Sequence, residues 1–148
     1  MSMSRITPSS ETVHASAVAI LGRAVLIGGL PGAGKSDLAL RLIDRGAVLI
    51  SDDYCDVRRT EGQVRASAPA TILGKIEVRG LGIVEMATVQ QVPIALFVDL
   101  DRAPERLPEP GETRSLAGVA IPVLRLAGLE ASAPLKVEAA LRLIGLPA

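Results

Sequence analysis

The chain has 148 residues, of which 49% are hydrophobic, and a formal net charge of 0. That length suits one domain, which buries roughly two thirds of the surface its unfolded chain exposes. The balanced charge argues against a nucleic-acid or membrane-surface binder, which would need a basic excess, and no apolar run approaches the ~18 residues of a membrane span.

Residues 1–12 are polar and read as a flexible lead-in without the apolar core of a signal peptide. Val18–Leu21 and Ala24–Gly28, separated by Gly22 and Arg23, predict a hairpin. Residues 29–36 then read GLPGAGKS, a complete match to the phosphate-binding pattern G-x-x-x-x-G-K-[ST]. Gly29, Leu30, Pro31, Gly32, Ala33 and Gly34 would curl so that backbone N–H groups point at phosphate oxygens, as in an ATP site. Lys35 would reach the β- and γ-phosphates, and the Ser36 hydroxyl would ligate Mg²⁺.

The pattern needs a strand before it and a helix after it, and both are written in the sequence. Ala24–Ile27 is an apolar run. Lys35–Arg45 carries Leu38, Ala39, Leu42 and Ile43 on one helical face, places Asp37 and Arg41 at i,i+4, and stops at Gly46. Ala47–Ile50 is the next strand, so strand, loop, helix and strand form a βαβ unit whose two strands run parallel or nearly so.

That strand ends in Ser51-Asp52-Asp53. Ligands of open α/β sheets bind beyond the carboxyl ends of the strands, which brings the two carboxylates beside the phosphate loop. On an extended backbone they point to opposite sides, so one can hold Mg²⁺ and the other accept a proton from an attacking hydroxyl. A helix cap or surface turn uses the same residue types. Cys55 permits no internal disulfide, fits a reducing cytoplasm, and reads as a small buried side chain.

Further along, Arg58–Gln63 is a polar turn around Glu61-Gly62, and residues 72–85 hold two short strand-like runs broken by glycines. Within them Glu77 and Arg79 are two apart, which on a strand puts them on one face, as a metal ligand and a phosphate clamp or as the solvated side of a hairpin. Ile94–Val98 is a buried strand; residues 99–118, rich in proline and charge, read as a loop. Ser132 and Pro134 open a last helix with Val137, Ala140, Leu141 and Ile144 on its core face, closed by Gly145 and Pro147. Tyr54 and Phe97 are the only Tyr, Phe or Trp residues, too few for a platform that stacks single-stranded nucleic acid.

GLPGAGKS, the run R-G-A-V-L-I-S-D-D from Arg45 to Asp53, and EVRGLGI from Glu77 to Ile83 together resemble the catalytic C-terminal domain of HPr kinase/phosphorylase. The second signature is the specific part, since phosphate loops occur in many families. The resemblance spans roughly residues 12–125 and is strongest over 25–85. It implies an ATP- and Mg²⁺-dependent kinase that phosphorylates a serine of the phosphocarrier protein HPr, in the cytoplasm, assembled as a homo-oligomer. For the fold it implies an α/β domain over 13–148: a P-loop-containing mixed sheet with flanking helices, phosphoenolpyruvate carboxykinase-like, the phosphate loop at its edge.

Carried onto this sequence, the resemblance makes Asp53 the catalytic carboxylate, with Ser36 and Glu77 toward the metal; Asp52, the other strand-end carboxylate, is then the one read above as holding Mg²⁺. Arg106 becomes a catalytic arginine in an acidic-Arg-Leu element. His14, the only histidine, lies 15 residues before Gly29, where the family has a histidine that steers the second aspartate. The family's N-terminal regulatory domain has no counterpart here, which reads as a short single-domain form. Its late P-V-R-P-G-R-N element is replaced by PVLRLAG at 122–128, so kinase chemistry is expected to outweigh phosphorolysis. Two other readings stay open: a small-molecule kinase with Arg102, Arg106 and Arg114 in a lid, and a nucleotide-sensing module without transferase chemistry.

Overall fold

The structure, a computed structural model, describes residues 8–101 and 111–148. Its centre is the strand β9 (Val92–Asp99), whose Val-Pro-Ile-Ala-Leu-Phe-Val run is buried on both faces. β9 pairs in parallel with β3 (Arg23–Gly28) on one side. On its other side it pairs with two partners in succession. Val92 and Pro93 meet β6 (Gln63–Ser67) antiparallel, and Phe97–Asp99 meet β11 (Val119–Arg125) in parallel. The sheet forks at that strand.

Beyond β3 lie β2 (Ala15–Ile20) and then β4 (Val48–Ser51), each antiparallel to its neighbour. Beyond β6 lie β5 (Cys55–Thr60) and β1 (Ser10–Val13), and β10 (Thr113–Leu116) folds back on β11. A separate hairpin pairs β7 (Lys75–Val78) with β8 (Gly82–Glu85). The phosphate loop leads into α1 (Lys35–Asp44), and α2 (Ala133–Ile144) closes the described chain.

Alternation along β3 explains why its run is continuously apolar. Leu26 joins Phe97, Ile50, Val57, Leu116 and Ile121 on one face; Val25 and Ile27 meet Leu38, Leu42, Leu96, Val98, Val137 and Leu141 under the helices on the other. Ile76 brings the β7–β8 hairpin into that second core. The Asp37–Arg41 pair forms at 2.9 Å, and Gly46 stops α1 with φ 110°. The Glu61-Gly62 turn is a two-residue hairpin with φ 54° and 76°.

Several expectations are corrected. The βαβ strands β3 and β4 do run the same way, but β2 lies between them, so they are not neighbours. The phosphate loop leaves an interior strand rather than the sheet's edge. Residues 10–12, read as part of a flexible lead-in, belong to β1 and pair with β5, and Thr113–Leu116, read as loop, is a strand. Both are marginal strands with three exposed residues and one buried, so they carry no apolar run to betray them. Ser132 opens α2, but its hydroxyl makes no capping hydrogen bond. Arg102 and Arg106 lie outside the described residues.

One contact fixes how β3 delivers the loop. A Cβ built on Gly28 would fall 2.4 Å from the Phe97 ring, closer than packing permits. Gly28→Ala is therefore expected to cost about 1–3 kcal/mol, the usual range for overpacking, and to cost less in a Phe97→Leu background. A double-mutant cycle of urea unfolding reads the difference; equal costs in both backgrounds would assign the glycine another role.

Candidate active site

The phosphate loop is shaped by two left-handed glycines, Gly32 at φ 87° and Gly34 at φ 101°. Gly29 is constrained by space instead, since a Cβ there would meet Ala33 at 3.0 Å and Leu100 at 3.2 Å. The residues after β9 hold the loop's entry: Leu100 N–H donates to the Gly28 carbonyl at 2.9 Å, and Leu30 N–H donates to Asp101 Oδ1 at 2.7 Å. Lys35 is buried, and its Nζ donates to the Gly29 carbonyl at 2.7 Å and reaches that of Leu30 at 3.4 Å.

Helix α1 begins at Gly34 with no side-chain cap, so its first-turn N–H groups stay available. With the helix dipole and the Lys35 ammonium they make a cradle whose chemistry fits a polyphosphate.

Asp52 is the joint of the site. Only 7% exposed, it accepts the Ser36 hydroxyl at 2.6 Å and the Ser16 hydroxyl at 2.8 Å on Oδ1, and the Glu77 amide at 2.9 Å on Oδ2. One carboxylate thus ties β2, α1 and the β7–β8 hairpin together. Because the Ser36 proton is directed at Asp52, the lone pairs of its oxygen remain for a hard cation. Glu77 is exposed and its carboxylate has no partner among the described residues. No group of three or more His, Cys, Asp or Glu side chains is gathered for a metal among the described residues. A hydroxyl and one or two carboxylates fit Mg²⁺, which keeps most of its shell as water and phosphate oxygens.

Asp53 points elsewhere. The two carboxylates diverge because Asp53 takes φ 68°, not because the backbone is extended as the sequence suggested. Ser16 Oγ accepts the Asp53 N–H at 3.1 Å, and Tyr54 N–H donates to the Asp52 carbonyl at 2.8 Å, which closes a tight turn. The Asp53 side chain is 55% exposed, and its Oδ1 lies 2.8 Å from His14 Nε2. The His14 ring stacks on Tyr54 with centroids 4.9 Å apart. A carboxylate beyond a phosphate cradle, oriented by a histidine and open to solvent, can take a proton from an incoming hydroxyl.

The structure thus brings His14, Gly29–Ser36, Asp52, Asp53 and Glu77 to one end of the sheet. It does not bring Arg79 along as expected: that residue is the exposed first position of the turn after β7, so the period-two argument that paired it with Glu77 ends at Val78. Sequence reasoning missed Ser16, Tyr54 and Asp101. A lone serine inside the apolar run of β2 was the available signal for Ser16. Cys55, next to the site, is inert, because burial pushes its thiol up to about 12.

The contrast between the two aspartates is measurable in stability alone. Asp52→Ala strands three donors, one buried and two part-buried, and is expected to cost about 2 kcal/mol or more, whereas Asp53→Ala should cost under about 1 kcal/mol. Equal losses in urea unfolding would mean that Asp52 does not hold the elements together.

Residues 5–141 match the family model described as the HPr serine kinase C-terminal domain. The chain is similar to a protein of Aromatoleum aromaticum named HPr kinase/phosphorylase, 38% identical over 137 residues, covering 83% of this chain and 43% of that one. A protein of the same name from Burkholderia lata is 37% identical over 131 residues, covering 80% and 41%. The chain therefore spans about two fifths of the length of the curated relatives it matches. Among solved structures, the HPr(Ser) kinase/phosphatase of Coxiella burnetii superposes with a TM-score of 0.76 at 30% identity, covering 89% of this chain and 88% of that one. The chain belongs to the HPr serine kinase C-terminal domain family.

Proposed function

We propose that the protein is an ATP-dependent protein-serine kinase whose substrate is the phosphocarrier protein HPr. The observation that carries this reading is the division of labour between two adjacent aspartates. Asp52 is buried against the hydroxyl that closes the phosphate loop, and Asp53 is turned outward and held by His14. The names of the relatives supply the identity of the substrate.

In the reaction, the substrate serine oxygen attacks the γ-phosphorus of ATP, the bond to the β–γ bridging oxygen breaks, and ADP leaves. The serine proton passes to Asp53. His14 Nε2–H donates to Asp53 Oδ1 and fixes the other oxygen toward the incoming hydroxyl; the Tyr54 stack keeps the imidazole in place. Lys35 exchanges its loop carbonyls for phosphate oxygens and offsets their charge, while the backbone from Gly29 to Gly34 and the first turn of α1 position them. Ser36, Asp52 and Glu77 would hold Mg²⁺, which neutralises the phosphates when bound. Arg106 is kept as the candidate arginine for the transferring group. Arg79 stands at the tip of the β7–β8 hairpin, where it would meet the protein substrate rather than the phosphates.

The forward direction dominates in this reading. Phosphorolysis needs an anion site in line with the phosphoserine, and Arg125, the one basic side chain of the 122–128 element, is bound to Glu112 Oε1 through Nε at 3.1 Å and Nη2 at 2.9 Å. A cytoplasmic location and a homo-oligomer complete the reading. No described helix is long and apolar enough to cross a membrane.

Incubation with γ-labelled ATP, Mg²⁺ and HPr should place label on an HPr serine; label on a small metabolite instead, or binding without transfer, would overturn the reading. Lys35→Ala should abolish transfer. Asp53→Asn should lose turnover by about two or more orders of magnitude while ATP binding survives. His14→Ala should lower kcat more than it raises KM for ATP. Near wild-type turnover in Asp53→Asn, with the fold intact, would overturn its assignment as the base.

A further inference from the structure

The phosphate loop has two flanks, and the proposed chemistry occupies one of them. Asp52 and Asp53 follow β4, which lies on the β2 side of β3, and Glu77 is drawn to the same side by its amide bond to Asp52. On the other side β3, β9 and β11 are successive parallel neighbours, and ligands of such sheets lie beyond the carboxyl ends of the strands. The chain leaving β11 turns there over residues 127–130, with Glu130 N–H donating to the Ala127 carbonyl at 3.3 Å.

This turn is fastened to the phosphate loop. Arg41 of α1 donates to the Glu130 carbonyl through Nη1 at 3.0 Å and to the Gly128 carbonyl through Nη2. Gly128 lies so close that a Cβ there would fall 3.2 Å from the Ala33 carbonyl oxygen. Leu129 rests on the loop itself, since a Cβ on Gly34 would meet Leu129 Cδ2 at 2.8 Å. Even so, Leu129 is 68% exposed. A single exposed leucine is ordinary on a protein surface. This one is held by an arginine against the glycine that opens α1, and its apolar face is left uncovered.

On the reading of the site as a nucleoside triphosphate kinase, Ser36, Asp52, Glu77 and Asp53 put the γ-phosphate on the β4 flank. A triphosphate is a linear chain, so its nucleoside end leaves the cradle over the first turn of α1 toward the opposite flank, where Leu129 stands. The turn offers a base little else. The carbonyls of Ala127, Gly128 and Glu130 already accept hydrogen bonds, and the Glu130 carboxylate is paired with Lys136 at 2.5 Å. Apolar contact of this kind rewards a flat ring and discriminates poorly between bases that differ only in polar edge groups.

We propose that Leu129 is the shelf on which the purine of the bound triphosphate rests, holding the base by apolar contact without reading its edge.

The test is equilibrium binding of ATP, GTP and inorganic tripolyphosphate, each with Mg²⁺, to the intact chain without HPr. ATP and GTP should bind within about threefold of each other. Leu129→Ala should weaken both by about three- to tenfold and leave tripolyphosphate unchanged. Leu129→Trp introduces the only tryptophan of the chain. ATP and GTP should quench its fluorescence by stacking and bind more tightly than to the wild type, whereas tripolyphosphate should do neither. Equal weakening of all three ligands in Leu129→Ala would make the leucine a prop of the phosphate loop and sink the proposal. ATP affinity unchanged in that variant, or a wild-type preference for ATP over GTP above about tenfold, would also overturn it. Those failures remove the shelf alone, because tripolyphosphate binding that Lys35→Ala abolishes still upholds the cradle. A wild-type chain that binds none of the three overturns the cradle and the shelf together.

Discussion

The site depends on the Asp52 carboxylate more than on any other group. Its three donors come from β2 of the main sheet, from the start of α1 and from the separate β7–β8 hairpin, elements with no strand pairing to one another. A charge that is 7% exposed is costly to desolvate, and three hydrogen bonds to the ionised form offset that cost. The same bonds set the geometry of the site. They hold Ser36 at the mouth of the loop, draw Glu77 beside it, and fix the residue before Asp53.

Asp53 is the other half of that arrangement. Its left-handed backbone is a conformation that aspartate tolerates better than most residues, because its short polar side chain hydrogen-bonds locally. A single strained residue thus puts two neighbouring carboxylates in two different settings, one buried and bonded to three elements, one exposed to solvent beside His14. Strain of this kind persists where surrounding contacts over-determine it, and Ser16, Tyr54 and His14 supply those contacts.

The phosphate loop, α1 and the strand before it were legible because each combines an apolar period with a motif of fixed spacing. Asp52-Asp53 was legible as a strand-end pair, and the two short strands around Gly80 as runs between glycines. β1 and β10 were not, because marginal strands carry their identity in backbone pairing rather than in side-chain pattern. The His14–Asp53 pair joins residues 39 apart, and nothing local marks a lone histidine as its partner; only resemblance to the family did. Arg79 shows the opposite error, a strand period carried one residue past where the strand ends.

The resting position of Lys35 bears on how the cradle responds to its ligand. Its ammonium is almost fully buried and two of its three N–H donors face the loop's own carbonyls, so a phosphate oxygen competes with partners that the loop already supplies. Such an exchange of bond for bond nets little hydrogen-bond energy, and most of the preference for phosphate over water must come from charge. At a site this closed to solvent such attraction is screened far less than between exposed charges, so added salt is expected to weaken the cradle's hold on an anion only modestly.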